Sequence, residues 1–275
     1  MTPTLEQFRD RCITLLRENP LRFFPLHPQI IEAVEGEPSA PGRAGIRVVT
    51  GAAGTPELVI HPENLLEACR SANDFSDDFI TARLGHITLT LQEAMSVLDD
   101  WSRTAPLLQF RLAKPGLMPD AASRLRFRWG DLEVFPSVLL RSGLGSIPLR
   151  AFQSWGIPLE TVIQQGIENT LLLWGHAAPT SISLGGVPTW VWAVERDVES
   201  GFALAPQMMA RVPLPREEMV LAVPLQGSLM VIEKAVASRH RINLDNGVRR
   251  MFHNGPRSCS PHLYHFRGDA LIRWE

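Results

Sequence analysis

Four residues near the carboxy-terminal end are of the types that bind zinc. His253, Cys259, His262 and His265 give the pattern His-x5-Cys-x2-His-x2-His. The spacing matches no common zinc finger, and two histidines three apart on an extended segment point to opposite faces. The expectation is no metal site, with this quartet as the metal-binding alternative. The same cysteine, flanked by Ser258 and Ser260 and close to two histidines, imitates a Cys–His pair, but an activated thiol requires a positioned base. No Gly-x-Ser-x-Gly elbow occurs. Gly143-Leu144-Gly145 supplies only Gly-x-Gly, and no Gly-Lys-Ser/Thr exists, so a known phosphate loop is excluded. The turn Pro224–Ser228 joins a buried strand to an expected helix start, where free N–H groups can hold an anion; a capped helix after a strand is the preferred reading. The acidic groups Asp74, Asp77 and Asp78, and Asp99-Asp100, read as helix caps and solvated faces. No catalytic residue and no cofactor are assigned.

Aromatic residues offer a second kind of chemistry. The chain has seven tryptophans and one tyrosine. In the expected strand Val187–Val194, Trp190 and Trp192 share one face, while Thr189, Val191 and Ala193 share the other. If the tryptophan face is outward, it forms an apolar patch that a monomer rarely leaves uncovered. Arg196 and Asp197 would then rim it. Tryptophan and arginine are both enriched at interface hot spots, and all but two of the 27 cations are arginine, Lys114 and Lys234 being the exceptions.

The elements that must position these residues follow from periodicity. Leu5, Phe8, Cys12, Leu15 and Leu16 repeat at helical spacing before Asn19-Pro20 stops the pattern. Glu35–Gly45 reads as a loop. Ile46–Val49 and Glu57–Ile60 read as strands joined by a turn at Gly51–Gly54. His61–Ala72 reads as a helix, His86–Leu91 as a strand, and Leu91 to Trp101 as a helix. Lys114–Ser123 has the polar composition of a connection. Strands are expected at Leu125–Trp129 and Leu132–Leu139 about Gly130-Asp131. The strongest helix runs from Pro158 to Trp174, its apolar face including Val162, Gly166, Ile167 and Leu171. Gly166 on that face implies close approach to another backbone. Ser181–Leu184 and Val187–Val194 turn at Gly185-Gly186. A buried strand, Met219–Leu225, precedes a helix capped by Ser228 and carrying Leu229, Ile232, Ala235 and Val236. Leu263–Phe266 and Ala270–Trp274 close the chain as a hairpin. Irregular interleaving of helices, strands and hairpins implies α+β: mixed or antiparallel sheets with several packed helices. The organisation is either two lobes, 1–115 and 120–275, or one compact domain.

Three passages, Ser154–Thr170 (SWGIPLETVIQQGIENT), Glu217–Val236 (EEMVLAVPLQGSLMVIEKAV) and Ser260–Ile272 (SPHLYHFRGDALI), occur in this order. Together they resemble the YtpQ-type bacterial family over about Leu125 to Trp274. The resemblance implies a bacterial α+β protein and brings no reaction, cofactor or catalytic residue with it.

The chain is 275 residues long with a formal charge of −2 and 45% hydrophobic residues. These values suit a folded globular protein, and the near-neutral balance argues against a nucleic-acid binder. No apolar run approaches the roughly 20 residues of a membrane span. The amino terminus lacks the pattern of a signal peptide, and three cysteines without a spacing motif suit a reducing compartment. The expectation is a non-catalytic cytoplasmic interaction or regulatory protein whose partner is another protein. Two alternatives accompany it. One is a small-molecule or nucleotide binder, or an enzyme, with an Arg/carboxylate site, which a deep Arg- and carboxylate-lined pocket would favour. The other is an immunity-type protein that neutralises a toxin.

Overall fold

The computed structural model describes residues 3–18, 23, 32–35, 46–49, 58–60, 62–117, 121–141, 143–194, 196–255 and 258–275. The expected turn at Gly51–Gly54 and most of the Glu35–Gly45 loop lie outside them. The chain forms two compact units, Met1–Val97 with Leu140–Ser142, and Leu98–Leu139 with Gly143–Glu275. The division falls ahead of the polar tract Lys114–Ser123.

The first unit contains α1 (Leu5–Glu18), the antiparallel meander β1 (Glu32–Glu35), β2 (Ile46–Val49) and β3 (Leu58–Ile60), α2 (Pro62–Ala72), and α3 (Asp77–Leu98). Phe8, Cys12 and Leu16 of α1 meet Ile46, Ile60, Leu65, Cys69, Ile80 and Leu84 in one core. The expected strand His86–Leu91 is instead helical, lying inside α3. Its β-branched residues and local alternation imitate a strand. The helical stripe of Ile80, Leu84 and Thr88, all buried, outweighs that local signal. The threonine hydroxyls are absorbed by the helix itself: Thr88 Oγ1 donates to Gly85 O at 3.0 Å and Thr90 Oγ1 to His86 O at 2.9 Å.

The second unit contains α4 (Trp101–Thr104), β4 (Leu108–Ala113), β5 (Phe127–Trp129), β6 (Leu132–Leu140), β7 (Gly143–Ser146), α5 (Leu149–Trp155) and α6 (Leu159–Trp174). The chain continues through β8 (Thr180–Leu184), β9 (Val187–Val191), α7 (Pro206–Met209), β10 (Met219–Ala222), β11 (Met230–Glu233), α8 (Lys234–Arg239), α9 (Arg241–Asn254), β12 (Leu263–Arg267) and β13 (Ala270–Arg273). A four-stranded sheet is ordered β4-β6-β5, with β7 on β6, and a six-stranded antiparallel sheet is ordered β13-β12-β10-β11-β9-β8. The fold is α+β with antiparallel sheets. Among the described residues, no helix is long and apolar enough to cross a membrane.

The central strands β10 and β11 of the six-stranded sheet are buried on both faces, and alternation along β10 divides its residues between two cores. Val220 and Ala222 join Ala237, Leu244 and Val248 under α8 and α9. Met219, Leu221 and Val223 join Phe202, Met208, Tyr264 and residues of β4 on the other side. Burial on both faces explains a second correction. Met230–Glu233 is a strand and not the start of a helix capped by Ser228; it pairs with β10 from Met219↔Glu233 to Ala222↔Met230. A strand covered on both faces is apolar throughout, and such a run loses the alternation that identifies strands. The helix begins only at Lys234.

Helix α6 packs on β4 through Val162, Gly166, Asn169 and Thr170. The close approach expected at Gly166 is real, but its partner is a ring and not a backbone. A Cβ there would lie 2.6 Å from Phe110 Cε2 and nearer still to Cζ, and Phe110 is itself buried. Gly166→Ala should therefore destabilise the protein in urea unfolding, since overpacking costs about 1–3 kcal/mol while helix propensity returns about 1 kcal/mol. A stabilised variant would mean that the ring moves aside freely.

Candidate functional site

The expected tryptophan patch is not a surface. Trp192 is 3% exposed and packs in the main core, edge-on to Phe202 with ring centroids 6.1 Å apart. Trp190 is half-buried against the same core. The shared face predicted for the pair is inward because Trp190 lies opposite Val231, which faces that core. Arg196 is exposed. Asp197 is half-buried with a left-handed φ of 58°, and its Oδ1 faces Gly227, 3.0 Å from where a Cβ would sit there. These four residues do not assemble into one exposed face.

The histidine quartet is likewise dispersed. His253 is exposed on α9, Cys259 is fully buried, and His262 and His265 are half-buried. Among the described residues, no group of three His, Cys, Asp or Glu is placed to hold a metal ion. Burial pushes the Cys259 thiol up to about 12, which keeps it protonated and poorly nucleophilic.

Two of these histidines belong to a feature that sequence spacing did not reveal. A cleft of about 790 Å³ opens beside the β12–β13 hairpin. It is built by register. His265 pairs with Ile272, Tyr264 with Arg273, and Arg267 with Ala270. Alternation then places His265, Ile272 and Trp274 on the face that carries Leu263. Helix α9 reaches this margin at its first residue: the Arg241 guanidinium stacks 4.3 Å from the Trp274 ring centre, and Nη2 donates to Trp274 O at 2.6 Å.

The far wall comes from two distant segments. Lys114 follows β4, and its backbone N–H donates to Cys259 O at 2.9 Å; its ammonium lies 5.1 Å from the Phe252 ring centre. Asp131, in the β5–β6 turn, holds the edge strand β13 twice. Its N–H donates to Leu271 O at 2.9 Å, and its Oδ2 accepts from the Arg273 N–H at 2.8 Å.

The cleft carries charges of both signs, the carboxylates of Asp131 and Glu275 lining it beside three cations. Lys114, Arg267 and Arg273 line it, and among the described residues none of their side chains has a carboxylate within ion-pair distance. Partial burial lowers the pKa of His262, and the charges of Arg273, Lys114 and Arg249 lower it further, against the weaker opposing effect of Asp245. His262 is therefore neutral at pH 7, with one ring nitrogen able to donate and the other to accept. Tyr264 forms the floor; it is 1% exposed, its hydroxyl is 2.6 Å from Ser260 Oγ, and burial raises its pKa to about 12. Such a site can bind and orient an anion through charge-assisted hydrogen bonds.

No family model matches the chain, and neither a curated protein nor a solved structure matches it.

Proposed function

We propose that the protein binds a small polyanionic molecule in the cleft beside the β12–β13 hairpin. One observation carries the reading: Lys114, after β4, and Arg267 and Arg273, from the β12–β13 hairpin, line one cleft beside Asp131 and Glu275, yet among the described residues none of the three is within ion-pair distance of a carboxylate. A cation without an ion-pair partner is free to attract a bound anion. A ligand with two or more acidic groups is the class that would use more than one of these cations. Two of the three are arginines, whose planar forks match carboxylate or phosphate geometry. A macromolecular partner seated on Trp190 and Trp192 has less support, because Trp192 lies in the core. Three free, buried thiols suit a reducing compartment, and the proposal places the protein in the cytoplasm.

Calorimetric titration with pyrophosphate and with citrate tests this reading and separates the two acid chemistries. At least one should bind saturably, and Lys114→Gln with Arg273→Gln should weaken binding about tenfold or more per lost charge-assisted contact. Preference for pyrophosphate would assign a phosphorylated ligand; preference for citrate would assign a polycarboxylate. Failure of both to bind, or equal affinity in the double variant, would overturn the proposal.

A further inference from the structure

The two edges of the six-stranded sheet are treated differently. In each hairpin a two-residue turn closes on a hydrogen-bonded pair, Arg267 opposite Ala270 and Leu184 opposite Val187. Bonded pairs then recur at every second residue. Leu271 and Arg273 of β13 therefore turn their backbone groups outward, and Asp131 takes up both, as described above. The equivalent outward residues of β8 are Ser181 and Ser183. Among the described residues, no hydrogen bond reaches them from outside the hairpin.

This second edge is open by composition as well. Native sheets protect exposed edges with charged residues, prolines or bulges. The segment Thr180-Ser181-Ile182-Ser183-Leu184 has none of these. Its first four residues are exposed, and Ile182 is 40% exposed. Pro188, across the hairpin from Ser183, sits where its missing N–H costs no bond, since the ladder to β11 starts at Trp190.

We propose that β8 is the contact by which two copies of this chain pair, antiparallel, about a two-fold axis through Ile182. The register is self-complementary. Ser181 would face Ser183 of the second copy in a hydrogen-bonded pair, twice over, giving four backbone hydrogen bonds. Ile182 would face its own symmetry mate in a non-hydrogen-bonded pair, where side chains approach most closely. Thr180 would face Leu184, and no like charges meet. An isologous contact of this kind closes after two copies and cannot propagate into fibres. A five-residue edge buries less than the roughly 1,200 Å² of a standard interface, so the dimer is weak and concentration-dependent.

The register makes the test specific. Cα atoms of a non-hydrogen-bonded pair, about 4.5 Å apart, are within disulfide range. The native cysteines are buried and add little background. With oxidised glutathione as oxidant, two Ile182→Cys thiols should join across the axis as glutathione is reduced, giving a covalent dimer. Thr180→Cys, out of register, should remain monomeric. Sedimentation of the unmodified chain should show a reversible rise in mass with concentration, lost in Ile182→Lys with an unchanged melting temperature. A chain that stays monomeric at all concentrations, equal cross-linking at positions 180 and 182, or a dimer that survives Ile182→Lys would each overturn the proposal.

Discussion

Replacing Trp192 with alanine should cost about 3–5 kcal/mol in urea unfolding, the range for large aromatic side chains removed from a packed core. The ring is 3% exposed and sits edge-on to Phe202, which is completely buried. Its indole Nε1 has no hydrogen-bond partner among the described residues, so Trp192 contributes through packing alone. Phenylalanine at this position keeps part of the ring contact and removes the orphaned donor. Trp192→Phe should therefore lose less than half as much as Trp192→Ala. Trp190→Ala should also lose less, since that ring is only half-buried. A loss below about 1 kcal/mol for Trp192→Ala would mean that the ring is not held in the core, and the tryptophan strand would return as a binding surface.

Gly130→Ala should be damaging for two reasons that add. Its φ of +63° lies in the left-handed region, which costs an L-residue about 1–2 kcal/mol. A Cβ would also fall 2.7 Å from the Leu271 carbonyl carbon and closer to its oxygen, and a backbone carbonyl cannot rotate away as a side chain can. With about 1–3 kcal/mol for overpacking, the total loss should be on the order of 3 kcal/mol. The site matters beyond stability. Asp131, the next residue, is what ties β13 down, so the substitution should also weaken ligand binding in the cleft. A variant as stable as the parent would show that the β5–β6 turn does not lie against β13.

Local chemistry made much of the fold legible. The turns at Gly130-Asp131 and Gly185-Gly186, the helix from Leu159 to Trp174 and the closing hairpin all carry their signals within a few residues, as turn glycines or apolar spacing. Misreadings arose where tertiary burial overrides a local pattern. His-Ile-Thr-Leu-Thr-Leu at 86–91 has strand-like composition but is carried in a long helix whose buried stripe runs through Ile80 and Leu84. Met230–Glu233 looks helical only because a doubly covered strand does not alternate. The cleft was less legible for a different reason. Lys114, Asp131 and Arg273 have no sequence relation to one another; register and a hydrogen bond spanning 142 residues bring them together. The one usable signal was the density of histidine and arginine between His253 and Arg273. That pointed to His262 and His265, though only as the alternative metal ligands and not as part of the lining of a cleft.

The proposed binding site is tested most directly by nuclear magnetic resonance of the histidine rings during titration with pyrophosphate. Binding in the cleft should shift the His262 and His265 ring signals saturably, while His176 and His240, outside the cleft, stay fixed. The sign of the pH effect is also determined. Partial burial and the charges of Arg273, Lys114 and Arg249, opposed only by Asp245, hold the pKa of His262 down, so a bound anion must raise it. Saturation with pyrophosphate should accordingly move the titration of the His262 ring to higher pH. If pyrophosphate leaves the His262 and His265 signals unmoved and the titration of His262 unchanged, the cleft is not the binding site and the central claim is wrong.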